Sequence, residues 1–179
     1  MSDSAFEFTL PDAEATDALG RGLAEAFLRA GMPGRAGMPG RAGDPEVHER
    51  GAVLHLRGEL GAGKSTCARS LLRALGVTGL IRSPTFTLIE SYPLGAMTCV
   101  HVDLYRVEGA AQVDELGLRD MLRPDCLLLI EWPEKGGNAV PAADVELRLD
   151  YAPAGRVAHG VARTPYGRTW LDNLRIDTR

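Results

Sequence analysis

At 179 residues with a formal net charge of −4, the chain is long enough to bury a sizeable core as one domain over residues 1–179, and it lacks the positive excess that a broad grip on nucleic acid requires. No stretch reads as a secretory signal or an apolar membrane span, so the expectation is a cytoplasmic protein. The three cysteines and four histidines show no metal-ligand spacing, and Cys67, Cys99 and Cys126 are expected as buried free thiols.

Pro11 precedes a helix expected over residues 12–30, where Leu19, Leu23 and Phe27 recur every four residues as one apolar stripe. The hexapeptide that begins at Gly31 is then repeated from Gly37, which predicts a flexible low-complexity loop at 31–43. Val53, Leu54, His55 and Leu56 read as a short buried strand. Residues 64–75 read as a helix with Leu71, Leu72 and Leu75 apolar and Gly76 as its stop. Loop chemistry at Arg82-Ser83-Pro84-Thr85 leads to a strand over 86–92. Residues 98–105 alternate, with Val100, Val102 and Leu104 on one face and His101, Asp103 and Tyr105 on the other. A helix is expected over 111–122, and the continuous apolar run 126–130 reads as a strand covered on both faces. Strands over 145–149 and 157–163 and a short helix holding Trp170, Leu171 and Leu174 close the chain. The class is α/β with a largely buried sheet.

Between the strand at Val53 and the helix from Lys64 lies Gly58-Glu59-Leu60-Gly61-Ala62-Gly63-Lys64-Ser65, the spacing of a phosphate-binding loop. Its glycines let backbone N–H groups turn toward phosphate oxygens, its lysine reaches the terminal phosphates, and its serine hydroxyl can ligate Mg2+. Lys64 is one of two lysines among 20 basic residues. With this composition, roughly 0.002 accidental matches are expected.

Binding phosphate is not yet hydrolysis, which also needs metal and proton management. Glu131 ends the apolar run and Asp103 ends the alternating strand. In open α/β sheets ligands lie outside the carboxyl ends of the strands, so both acids are candidates for the nucleotide side. Spacing alone does not rank one against the other. Thr85, in the loop after the first crossover, is a candidate sensor of a terminal phosphate. Trp132 reads equally as a stacking platform or a core residue, His101 as sheet packing, and Arg106 as a partner of phosphate or of Asp103.

The series Gly58 to Thr66, Ser83-Pro84-Thr85-Phe86-Thr87, Asp103-Leu104-Tyr105-Arg106 and Glu131-Trp132-Pro133-Glu134, together with Glu115-Leu116-Gly117, resembles the TsaE (YjeE) family, a small bacterial ATPase of tRNA threonylcarbamoyladenosine synthesis. The resemblance runs from about residue 8 to residue 149. The hexapeptide duplication and the chain after Tyr151 depart from it. It implies a P-loop NTPase fold with a central, mostly parallel sheet. It implies ATP and Mg2+, with weak hydrolysis by the isolated protein. It also implies service to a TsaB–TsaD complex, which brings tRNA only indirectly. Carried over by motif, Glu59, Leu60, Gly61, Ala62, Gly63, Lys64, Ser65 and Thr66 would cradle the nucleotide, with Thr85 as the switch element. Ser65 and Glu131 would hold the metal. Asp103 would position or activate water, so that Asp103, Lys64 and Glu131 form the catalytic set. The rival readings are a small-molecule kinase and a nucleotide-dependent adaptor without a catalytic role.

Overall fold

The computed structural model describes residues 4–32, 50–81, 84 and 87–176. Its elements run β1 (Ala5–Leu10), α1 (Ala13–Ala30), β2 (Ala52–Arg57), α2 (Lys64–Ala74), β3 (Ile89–Leu94), β4 (Met97–Asp103), α3 (Ala110–Glu115), α4 (Leu118–Met121), β5 (Cys126–Glu131), β6 (Val145–Tyr151), β7 (Arg156–Ala162) and α5 (Pro165–Asp172). Of the expected loop at 31–43, only Gly31 and Met32 lie among the described residues.

The strands form one sheet in the order β1-β7-β6-β2-β5-β4-β3. Its centre, β6-β2-β5-β4, is parallel. The edges are antiparallel, with β3 on one side and β7 and β1 on the other, so half of the ladders depart from the mostly parallel expectation. For two of the three antiparallel ladders the reason is connection length. Short turns join β3 to β4 and β6 to β7, and short turns return the chain antiparallel.

Alternation assigns the two faces. Leu54 and Leu56 of β2, Cys99 of β4 and Leu127 and Leu129 of β5 face one core, built with α1, α2 and α5. Val53, Val100, Val102, Leu128 and Ile130 face the other, covered by Val113 of α3 and Leu118 of α4. The expected two-sided burial of β5 is therefore observed, and all six of its residues are buried. On the first face α1 and α2 cross closely. A Cβ at Gly20 would stand 2.5 Å from the Cys67 carbonyl oxygen, and the Ser70 hydroxyl donates to the Asp17 carbonyl at 2.7 Å. Trp170 of α5 is fully buried, donates its indole N–H to Leu23 O at 2.9 Å and packs on Phe27. All three cysteines are buried and free, and burial pushes the Cys67 thiol up to about 12.

Several boundaries differ from the sequence reading. The helix starts at Ala13, with the Asp12 carboxylate capping the Ala15 N–H. The helix expected over 111–122 is two pieces, broken at Gly117, whose φ of 65° only glycine adopts at little cost. The strand expected over 86–92 is observed from Ile89, and Phe86 lies outside the described residues. β1 was not anticipated. It pairs with β7 and lays the Phe6 ring over Gly160, where a Cβ would meet the ring at 2.1 Å. No helix among the described residues is long and apolar enough to cross a membrane.

His55 sits on the second face of β2, 5% exposed, with Nε2 donating to Pro141 O at 2.9 Å and Nδ1 without a partner. Burial pulls its pKa from 6.5 down to about 4, against the carbonyl bond, which opposes the shift. The unfolded chain therefore takes up this proton first as pH falls. The stability is complete above about 6.5 and is lost progressively down to about 4, roughly 3 kcal/mol in all. Between pH 7.5 and 5, urea denaturation should show wild type losing roughly 2 kcal/mol more than His55→Gln. Equal losses would contradict the buried neutral imidazole.

Candidate functional site

The carboxyl end of β2 runs into the glycine loop, and the loop runs into α2. Gly58, Gly61 and Gly63 all have positive φ (130°, 77° and 109°), which lets the chain wrap back on itself. Gly63 is the N-cap of α2 and offers no side-chain hydrogen bond to its first turn, whereas Asp12 caps α1 and Thr164 caps α5 with side-chain oxygens. The donors at the start of α2 are thus left to an outside acceptor, and the helix dipole favours an anion there.

The loop is braced from the β6–β7 turn. The Tyr151 hydroxyl donates to Leu60 O at 2.8 Å, Arg156 donates to Gly61 O at 3.3 Å, and the Arg156 guanidinium lies 4.0 Å from the Tyr151 ring centre. A Cβ at Gly61 would stand 2.7 Å from the Tyr151 hydroxyl. Neither residue was singled out from sequence, because the contact spans more than ninety positions.

Lys64 is 4% exposed. Its ammonium donates to Gly58 O at 2.7 Å and Glu59 O at 2.8 Å and sits 3.8 Å from the Trp132 ring centre. Burial lowers its pKa, opposed by the charges of Glu131, Glu134 and Asp103. Trp132 follows Glu131 directly, with φ 58°, and packs on Tyr105. It is therefore neither plain core nor a free platform, but a lid against the lysine.

Parity on the sheet brings the acids together. His101 and Asp103 share the face of Cys99, and Glu131 shares the face of Leu129, so all three point to the side on which α2 lies. The parallel register aligns Asp103 with Glu131 across β4 and β5. Ser65, in the first turn of α2, donates its hydroxyl to Glu131 Oε2 at 2.9 Å, and His101 Nε2 lies 2.8 Å from Glu131 Oε1. Asp103 Oδ1 accepts the Tyr105 N–H at 3.0 Å. Burial raises the Asp103 pKa, and the Glu131 charge adds to it. The Tyr105 N–H bond, His101 and Lys64 pull the other way. His101, expected only to pack, is thus part of the site.

No group of three His, Cys, Asp or Glu side chains that could hold a metal exists among the described residues. The hydroxyl–carboxylate pair Ser65–Glu131 fits Mg2+, which takes few protein oxygens and completes its shell with water and phosphate. Clefts flank the loop on both sides. One, of about 210 Å3, is lined by Pro11, Asp12, Thr16, Gly61, Thr66 and Arg156. The other, of about 610 Å3, is lined by Arg57, Leu60, Tyr105, Trp132, Glu134 and Arg148. Glu59, Leu60 and Ala62 belong to the loop itself, and Thr85 lies outside the described residues. Arg119 donates to Asn138 O at 2.6 Å.

A family model described as "Threonylcarbamoyl adenosine biosynthesis protein TsaE" matches residues 10–158. The tRNA threonylcarbamoyladenosine biosynthesis protein TsaE of Haemophilus influenzae is 38% identical over 120 residues, covering 67% of this chain and 76% of that protein. The protein of the same name from Synechocystis is 34% identical over 139 residues, covering 75% and 74%. Among solved structures, YdiB of Bacillus subtilis superposes with a TM-score of 0.71 over 96% of this chain and 95% of that one. At 23% identity this is a likeness of fold.

The two acids should sense each other. In Glu131→Gln the Asp103 carboxyl is expected to titrate at lower pH than in wild type, because one of the charges that raises it is gone. Carboxyl 13C NMR checks this, and an unchanged titration would separate the two groups.

Proposed function

The chain belongs to the TsaE family, and on that premise we propose that it is a Mg2+-dependent ATP hydrolase of P-loop NTPase fold. In this reading it serves tRNA threonylcarbamoyladenosine biosynthesis in the cytoplasm by driving a TsaB–TsaD-like complex, and meets tRNA only through that complex. The observation that carries the reading is the convergence of Ser65, Glu131 and Asp103 at the mouth of the glycine loop that Lys64 closes.

The roles follow from the atoms. The loop N–H groups and the uncapped first turn of α2 donate to phosphate oxygens. Lys64 exchanges its two carbonyl partners for the terminal phosphates. Ser65 and Glu131, whose side chains meet, would hold the metal. Bound there, Mg2+ would neutralise charge on the phosphate oxygens. Asp103 keeps Oδ1 on the Tyr105 N–H, which leaves Oδ2 to orient a water. Water oxygen bonds to the terminal phosphorus, the bond to the bridging oxygen breaks, and Asp103 takes the water proton. Burial raises the Asp103 pKa, which makes it a better base than an exposed aspartate.

Losing the Lys64 ammonium removes charge-assisted bonds worth about 1.5–3 kcal/mol each, so Lys64→Ala should weaken ATP binding roughly 10- to 100-fold. Calorimetry checks this, and unchanged affinity would remove Lys64 from the site.

Asp103→Asn should keep ATP affinity, lower hydrolysis about 100-fold or more and stall tRNA modification with the partner complex. In wild type, activity should fall with acidification at a pH above the ordinary aspartate range, because the base form is required and its pKa is raised. Fast ADP release that depends on a small-molecule acceptor, without partner proteins, would favour a kinase instead. Sustained modification by Asp103→Asn would favour an adaptor.

A further inference from the structure

Glu131 is 1% exposed, and its two oxygens have different neighbours. Oε2 accepts the Ser65 hydroxyl at 2.9 Å, on the side of the glycine loop. Oε1 meets His101 Nε2 at 2.8 Å, and His101 is fully buried in the sheet. His101 sits two residues before Asp103 on the same face of β4, and β4 lies parallel beside β5. The imidazole thus reaches Glu131 from behind, away from the loop.

The proton on this contact can be placed. Nδ1 of His101 is buried and has no hydrogen-bond partner. A carboxylate oxygen accepts only, so Nε2 carries a proton and donates it.

From this we infer that His101 is a positioning residue. It pins Glu131 by Oε1, so that Oε2 alone faces Ser65 and the divalent cation. The inference rests on the nucleotide-and-Mg2+ reading above and deepens it. An unpinned glutamate has three side-chain torsions and would have to be ordered each time the cation arrives. Pinning removes that cost, and loss of such an outer partner typically weakens metal affinity 10- to 100-fold. The role is indirect: His101 touches neither the cation nor the nucleotide, and it acts through Glu131.

His101→Leu removes the donor and keeps an apolar filling. His101→Gln places an amide N–H at a similar distance along the side chain. Mn2+ serves as the probe, with free Mn2+ read by electron paramagnetic resonance in the presence of ADP, and metal-free ADP affinity read by calorimetry. The expected result is a Mn2+ affinity about 10-fold weaker or more in His101→Leu, with metal-free ADP affinity unchanged and most of the loss recovered in His101→Gln. A folded His101→Leu that binds Mn2+ like wild type overturns the inference. So does a loss that His101→Gln does not recover, which would mark packing rather than the hydrogen bond. If His101→Leu does not fold, 15N NMR of the wild-type imidazoles decides. A proton on Nε2, with resonances that move when Mg2+ joins ADP, supports the inference, and a proton on Nδ1 alone overturns it. A wild-type protein that binds no Mg2+ with nucleotide overturns the functional reading and this inference together. Wild-type binding with an indifferent His101→Leu overturns this inference alone.

Discussion

The site depends on the register between β4 and β5. Asp103 stands opposite Glu131 because Thr98 stands opposite Cys126, and every residue between keeps step. A slip of one position would turn His101 and Asp103 to the opposite face, toward Val113 and Leu118, and strand both polar side chains in an apolar core. The hydrophobic alternation that protects the two cores is therefore the same constraint that assembles the acids. Folding energy and site geometry are set by one pattern.

Onto that fixed floor the glycine loop is held from two directions. From below, Lys64 binds the loop carbonyls of Gly58 and Glu59. From the side, Tyr151 and Arg156 bind those of Leu60 and Gly61. Four successive carbonyl groups are thus each bound by a side chain, which fixes the course of the loop. The antiparallel edge matters here. The tight return from β6 to β7 brings Arg156 back beside Tyr151, a placement that a long crossover would not give.

How much of this was legible depended on distance along the chain. The loop and its helix were readable because Gly58 to Ser65 is a local pattern with a strict spacing. Glu131 and Asp103 were readable as strand ends, because a run such as 126–130 and the alternation of 98–105 show where a strand stops. Their pairing was not, since it is a register and not a composition. His101 looked like any polar residue on an alternating strand, as its partner lies thirty positions away. Tyr151 and Arg156 were hidden for the same reason. β1 carried a local signal in Phe6, Phe8 and Leu10 at a period of two, which the proximity of the α1 cap obscured. The break at Gly117 turns on one left-handed φ that glycine permits but does not demand.

The resting contacts of Lys64 have a consequence for observation. Of the two tryptophans, Trp170 is sealed between α1 and α5 with its N–H fixed on Leu23 O. Trp132 lies under an ammonium at 3.8 Å, and that charge alters the energy of the excited indole. A ligand that draws the lysine away changes the surroundings of one chromophore and leaves the other untouched. The protein therefore carries an intrinsic optical probe beside its glycine loop, with a constant internal reference in its core.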